Sequence, residues 1–326
     1  MPTCSSEKLF NIAEKFKQLV DPCVLCPRQC KARRLHGEKG FCKLTDSAVM
    51  ASAIVHFGEE PPITGHSGSG TVFLSGCNAS CIFCQNYQIS RMSVGQAISP
   101  ESLANEFLKL QDKGCENINW VTPTPHLPFL MEALAIAVEK GLNLPLVYNT
   151  NSYMRLKILE LLEGVVDIYL PDMKYGENTC AESFSNIPNY FEISISAVSE
   201  MIRQAGPLQI NQKSVAKKGV LVRHLVLPEG TAGSRKVFRA LANINPQIPV
   251  SIMAQYSPCF KAVKHPVLGR RVTKQEYQNA LDDFEEAELK LAYTQNIGEM
   301  EIEDLYFPDF KQDDNKILLD PPSQLS

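Results

Sequence analysis

No apolar run in this 326-residue chain is long enough to span a bilayer. The greasiest stretch, FLMEALAIAV at 129–138, is short and carries a glutamate. The amino terminus, MPTCSSEKLFNIAEKF, has no basic stretch leading into an apolar one, so no secretory signal is expected there. Neither sign of charge is in excess: 32 Lys and Arg stand against 36 Asp and Glu, a formal net charge of -4. That leaves no global basic field to attract nucleic acid. These absences predict a cytoplasmic protein with neither membrane nor nucleic acid among its partners. No internal repeat is present. With 44% hydrophobic and 21% charged residues, the chain is expected to bury one substantial core plus an appendage.

What the chain does have is cysteine. Eleven are present, and seven of them fall between Cys23 and Cys84. In a reducing compartment such clustering points to metal or catalysis and away from disulfides.

The periodicity divides the chain into three parts. Residues 1–60 are expected to hold an amphipathic helix over 7–20 and a Cys-rich head, where helix and strand periodicity both vanish. In residues 61–260, short apolar runs at 71–77, 117–123, 145–151, 166–172, 219–228 and 249–258 read as buried parallel strands. Helices are expected between and after them, at 101–113, 127–140, 154–162, 188–204, 233–243 and 273–290. Residues 261–326 supply the last helix and a polar tail expected to be loosely ordered. Six β-then-α units predict an α/β fold, a partial (β/α)6 TIM-like barrel with a small Cys-rich N-terminal appendage; a flat doubly wound sheet is the rival. In either fold, chemistry belongs at the carboxyl ends of the strands, where Cys77, Thr122, Asn149, Asp172, Arg223 and Gln255 fall.

The stretch SGCNASCIFCQN places Cys77, Cys81 and Cys84 in one loop, without a fourth ligand. A closed structural zinc site needs four ligands. A 4Fe-4S cluster held by three thiolates instead leaves one iron open to a further ligand. A buried cysteine cluster, or a zinc site completed from elsewhere, is the alternative.

C-x3-C-x2-C after the first strand resembles the motif of the radical S-adenosylmethionine (SAM) superfamily. HFGEEPPITGHSGSGTVFLSGCNASCIFCQN, YNTNSY, LPDMKY, VRHLVLP, MAQYSP and the CVLCPRQC head together resemble the group related to pyruvate formate-lyase activating enzyme. The resemblance implies a 4Fe-4S cluster on Cys77, Cys81 and Cys84, with SAM on the open iron. It also implies reductive cleavage of SAM to a 5′-deoxyadenosyl radical that abstracts hydrogen from a substrate. By motif it implies SAM contacts at Asn149, Thr150 and Asn151, at Asp172 and Lys174, and at Arg223. A guanidinium and an ammonium suit the SAM carboxylate, and the oxygens suit ribose hydroxyls or a small cation. Asn149 stands where the activators have Asp, and VTPTPHLP, with Thr122, stands where relatives have a glycine-rich turn. An electron donor such as flavodoxin or ferredoxin, and a protein substrate attacked at a glycine, are further implications of the resemblance. His126 and His224 are read as packing residues, His224 pointing away from Arg223's face.

In the head, Cys23, Cys26, Cys30 and Cys42 follow C-x2-C-x3-C-x11-C, enough thiolates for zinc or for a second iron-sulfur cluster. Cys4, Cys115, Cys180 and Cys259 stand alone and read as ordinary thiols. An iron-sulfur electron carrier that leaves SAM intact, or a zinc-stabilised binding module, are the rival functions.

Overall fold

The computed structural model describes residues 4–295 and residue 310. Its strands are β1 (Ala48–His56), β2 (Ser69–Leu74), β3 (Gln96–Ile98), β4 (Ile118–Val121), β5 (Leu146–Thr150), β6 (Ile168–Pro171), β7 (Gln209–Ile210), β8 (Ala216–Val220), β9 (Val222–Leu225), β10 (Val250–Met253) and β11 (Ala292–Thr294). Its helices are α1 (Ser6–Gln18), α2 (Pro61–Thr64), α3 (Tyr87–Arg91), α4 (Pro100–Asp112), α5 (Leu127–Glu139), α6 (Leu156–Leu161), α7 (Asn178–Ser185), α8 (Tyr190–Ala205), α9 (Ser234–Ile244) and α10 (Lys274–Glu286).

The six expected strands are β2, β4, β5, β6, the nearly continuous β8 and β9, and β10. They run parallel in chain order, β2-β4-β5-β6-β8 in one sheet and β9-β10-β11 in the other. Residues 216–225 join the two sheets: Leu221 N donates to Tyr169 O, and Met173 N donates to Arg223 O. An order that never reverses has no switch point, which excludes the doubly wound rival. The sheet stays open, giving the expected partial barrel without closure. Its concave face is filled by Ile63 of α2 with Val147, Ile168, Leu170 and Leu221.

Helices cover the other face because their apolar residues fall at helical spacing. α4 buries Leu103, Ala104, Phe107 and Leu110 after a cap in which Ser99 Oγ accepts from Ser102 N, 3.2 Å. α5 is apolar nearly all round because it is covered on both sides, by α4 and by α1. α1 buries Leu9, Ile12 and Phe16, and Lys17 pairs with Glu132 at 3.1 Å.

The expectation for residues 1–60 needs one correction. β1, assigned there to the appendage, pairs antiparallel with β2 from Met50 to His56 and with β3 on its other side, so it belongs to the eight-stranded sheet. The polar tail over 311–326 lies outside the described residues. Phe310 is buried edge to face on Phe73, ring centroids 5.2 Å apart. No helix among the described residues is long and apolar enough to cross a membrane.

Candidate functional site

Parallel strands point their carboxyl ends the same way, so the loops after β2, β4, β5, β6 and β9 meet at one mouth. The cysteine loop is fastened there from two sides. Ser80 N and Ile82 N donate to Ser185 O and Phe184 O at 2.8 Å, at the end of α7. Ile82 O accepts from Lys261 N and Ala262 N, both at 2.9 Å.

Each thiol has a polar neighbour. Cys77 Sγ accepts from Ala79 N at 3.3 Å and from Asn151 Nδ2 at 3.6 Å. Cys81 Sγ accepts from Ser185 Oγ at 3.0 Å, and Cys84 Sγ lies 3.3 Å from Ser90 Oγ. Burial pushes the Cys77 thiol up to about 11 and Cys84 to about 12, outweighing the nearby Lys174 charge. Burial thus favours the neutral thiol at Cys77 and Cys84, and bound metal would favour the thiolate. Among the described residues no three His, Cys, Asp or Glu side chains converge on a single ion. Three soft thiols in one loop suit an iron-sulfur cluster.

Thr122, Asn149, Thr150, Asn151, Asp172, Lys174 and Arg223 all lie at the same mouth. Arg223 Nη2 donates to Asn149 Oδ1 at 2.6 Å and Nε to Asp172 Oδ1 at 2.8 Å. Lys174 Nζ donates to Asp172 Oδ2 at 2.6 Å. Burial works against ionisation of Asp172, but the Arg223 and Lys174 charges outweigh it and hold the carboxyl below its usual range. Asn151 Nδ2 donates to Asn78 Oδ1 at 2.8 Å, tying the end of β5 to the cysteine loop. Thr150 is buried, its Oγ1 accepting from Ser152 N at 3.3 Å.

Thr122 occupies the left-handed region with φ of 60°, a conformation that costs a β-branched residue on the order of 1–2 kcal/mol. It thus adopts the turn that a glycine-rich segment would form without strain. His126 is buried, with Nε2 2.7 Å from Ser75 O, and burial together with Arg34 drives its pKa down to about 3. His224 turns away from Arg223 to Met173 O and Ser234 Oγ, 2.6 and 2.9 Å distant. Gln255 Oε1 accepts from Gln295 Nε2 at 2.9 Å.

The fold adds two carboxylates that the strand pattern did not single out. Glu59 precedes α2, and its Oε1 accepts from Asn119 Nδ2 at 2.9 Å and Asn149 Nδ2 at 3.2 Å, while Oε2 pairs with Arg223 at 3.1 Å. Glu60 Oε2 lies 4.0 Å from Arg223 without a hydrogen-bond partner, and burial raises its pKa to about 7 against the pull of that guanidinium. The only sequence signal was the adjacent pair in GEEPP. Arg223 is therefore already engaged by two carboxylates, Asp172 and Glu59. The four head cysteines line a separate small cavity: Cys23 and Cys42 are buried, Cys26 half-buried and Cys30 exposed.

The family model described as the Radical SAM superfamily matches residues 71–229. An uncharacterised protein of Methanocaldococcus jannaschii is 32% identical over 290 residues, covering 86% of this chain and 79% of its own length. A second uncharacterised protein of that organism is 26% identical over 156 residues, covering 43% of this chain and 46% of its own. Among solved structures, a radical SAM methyltransferase from Sphaerobacter thermophilus is similar with a TM-score of 0.49 and 15% identity. That match covers 69% of this chain and 65% of the methyltransferase, under two thirds of its length. A domain of a pyruvate-formate lyase-activating enzyme from Bacteroides vulgatus is similar with a TM-score of 0.34 and 12% identity, covering 49% of this chain and 85% of that domain.

Proposed function

This chain belongs to the radical SAM superfamily, and from that premise we propose that it abstracts hydrogen from a glycine of a protein substrate in the manner of a glycyl-radical activating enzyme. The observation that carries the radical chemistry is the trio Cys77, Cys81 and Cys84 at the carboxyl ends of the strands, with no fourth protein ligand in the loop. A 4Fe-4S cluster, which Cys77, Cys81 and Cys84 would hold, would supply the single electron that splits the SAM sulfonium into methionine and a hydrogen-abstracting 5′-deoxyadenosyl radical.

The chain's own groups bind and orient. Ser185, Ser90 and Ala79 N steady the three sulfurs. Asn151 bridges the cysteine loop to β5, and its proposed role is to orient SAM against the thiols. Lys174 offers an ammonium to the SAM carboxylate, at the expense of its bond to Asp172. Arg223 is proposed to act differently: held by Asp172 and Glu59, it fixes the strand ends, with Asn149 as its neighbour. Thr122 presents its backbone and hydroxyl at the turn after β4. Cytoplasmic location and an electron donor of the flavodoxin or ferredoxin kind belong to the same reading.

Anaerobically reconstituted protein, reduced with dithionite, should convert SAM to 5′-deoxyadenosine. SAM left intact would favour the electron-carrier reading. Glycine-deuterated candidate protein substrates should pass label into 5′-deoxyadenosine, and label arriving only from another position would overturn the glycine assignment.

A further inference from the structure

We propose that Cys23, Cys26, Cys30 and Cys42 bind a metal as thiolates, that buried Arg34 is the counter-cation of this centre, and that the centre fastens the head onto the loop carrying Cys77.

The head lacks a core of its own. Of its large apolar side chains only Leu25 and Leu44 are buried, too little to order residues 21–44 by burial. All four thiols nevertheless line one small cavity with Arg34. Cys30 and Cys42 face the same glycine: a Cβ on Gly40 would stand 3.3 and 3.5 Å from their sulfurs.

Arg34 supplies the independent observation. It is fully buried; Nε donates to Thr45 O and Nη1 to Pro125 O, both at 2.9 Å, and Nη2 has no partner. Among the described residues no carboxylate pairs with it. A guanidinium does not shed its charge on burial, so burying it without an anion is unfavourable. Cys23 lines the same cavity as Arg34. Neutral thiols would leave the charge uncompensated, whereas four metal-bound thiolates carry net negative charge.

As placed, no three of the thiols converge on one ion. Cys26 and Cys30 are the accessible pair, so loading is expected to turn them inward. The fastening is visible in the backbone. Gly76, with φ of 85°, lies so close to the head that a Cβ there would stand 2.5 Å from Cys42 O. Arg28 stacks 3.4 Å over the Phe41 ring and donates from Nε to Asn78 O. Arg91 Nη2 donates to Phe41 O at 3.4 Å and Cys77 O at 3.3 Å, joining head and loop. The fastening rests on the radical SAM reading of Cys77; the metal site does not.

The test uses the full chain purified without oxygen. The variant Cys77→Ala, Cys81→Ala, Cys84→Ala should retain about one zinc per chain, or about four iron with visible colour. Either supports the thiolate centre and tells which metal fills it. Adding Cys26→Ser and Cys30→Ser should remove that metal. A folded triple variant with neither zinc nor iron overturns the site. Should the triple variant fail to fold, Cys26→Ser with Cys30→Ser alone should lower the metal content by the same amount, and no loss overturns the site. That double variant should keep the iron of the other cluster but alter its electron paramagnetic resonance signal; an identical signal overturns the fastening. Arg34→Gln should release the head metal to chelator roughly tenfold faster, and unchanged release overturns the role of Arg34.

Discussion

Glu60 should make this protein less stable as pH rises through neutrality. Its carboxylate is 8% exposed beside Glu59 and Arg223, and burial lifts its pKa from the ordinary 4.5 to about 7. A carboxyl whose pKa is raised by folding contributes stability below its unfolded value and loses it as pH climbs through the folded value. The rise from 4.5 to about 7 corresponds to about 3 kcal/mol, of which about 2 kcal/mol falls between pH 5.5 and 8. Glu60→Gln keeps the shape and removes the proton. Urea unfolding of both proteins, anaerobic and at several pH values, should therefore show wild type losing about 2 kcal/mol more than the variant across that interval. At pH 8 the variant should be the more stable. Parallel pH profiles, or a variant several kcal/mol weaker at pH 8, would show that Arg223 keeps Glu60 ionised and that the carboxylate is needed as a charge.

Cys77→Ala, Cys81→Ala and Cys84→Ala should each sharply reduce iron and sulfide content and abolish SAM cleavage, as read by metal analysis and product chromatography; full iron in all three would sink the cluster assignment. Asp172→Asn strips the charge that holds Lys174 and Arg223, so it should cost on the order of 3 kcal/mol in chemical unfolding; a loss under about 0.5 kcal/mol would show the two cations finding other partners. The stability from the Asp172 carboxylate is present above its unfolded pKa and fades as pH falls through its depressed folded value. Thr122→Gly removes left-handed strain but adds chain entropy, so stability should change by no more than about 1 kcal/mol. Weaker SAM binding in that variant, measured by titration, would assign the hydroxyl a contact; a stability loss above about 2 kcal/mol would instead make Thr122 a packing residue.

The element pattern and the position of the metal loop were written in the linear chain. Buried parallel strands are short apolar runs and their covering helices repeat at 3.6 residues, so β2, β4, β5, β6, β8, β9 and β10 were readable together with α1, α4, α5, α6, α8, α9 and α10. Three cysteines within eight residues are a local pattern, and locality is what a sequence preserves. β1 was not readable as sheet, because its pairing with β2 and β3 depends on a hairpin and a register that no periodicity encodes. Glu59 and Glu60 are adjacent in GEEPP, where nothing local marks them as site residues. They reach Arg223, more than 160 positions away, only because α2 enters the concave face of the sheet. Arg33 and Arg34 are adjacent and identical in type, so the linear chain does not tell them apart. Only tertiary packing buries one of that adjacent pair completely while leaving the other at the surface, and a charge deprived of water must find its anion nearby.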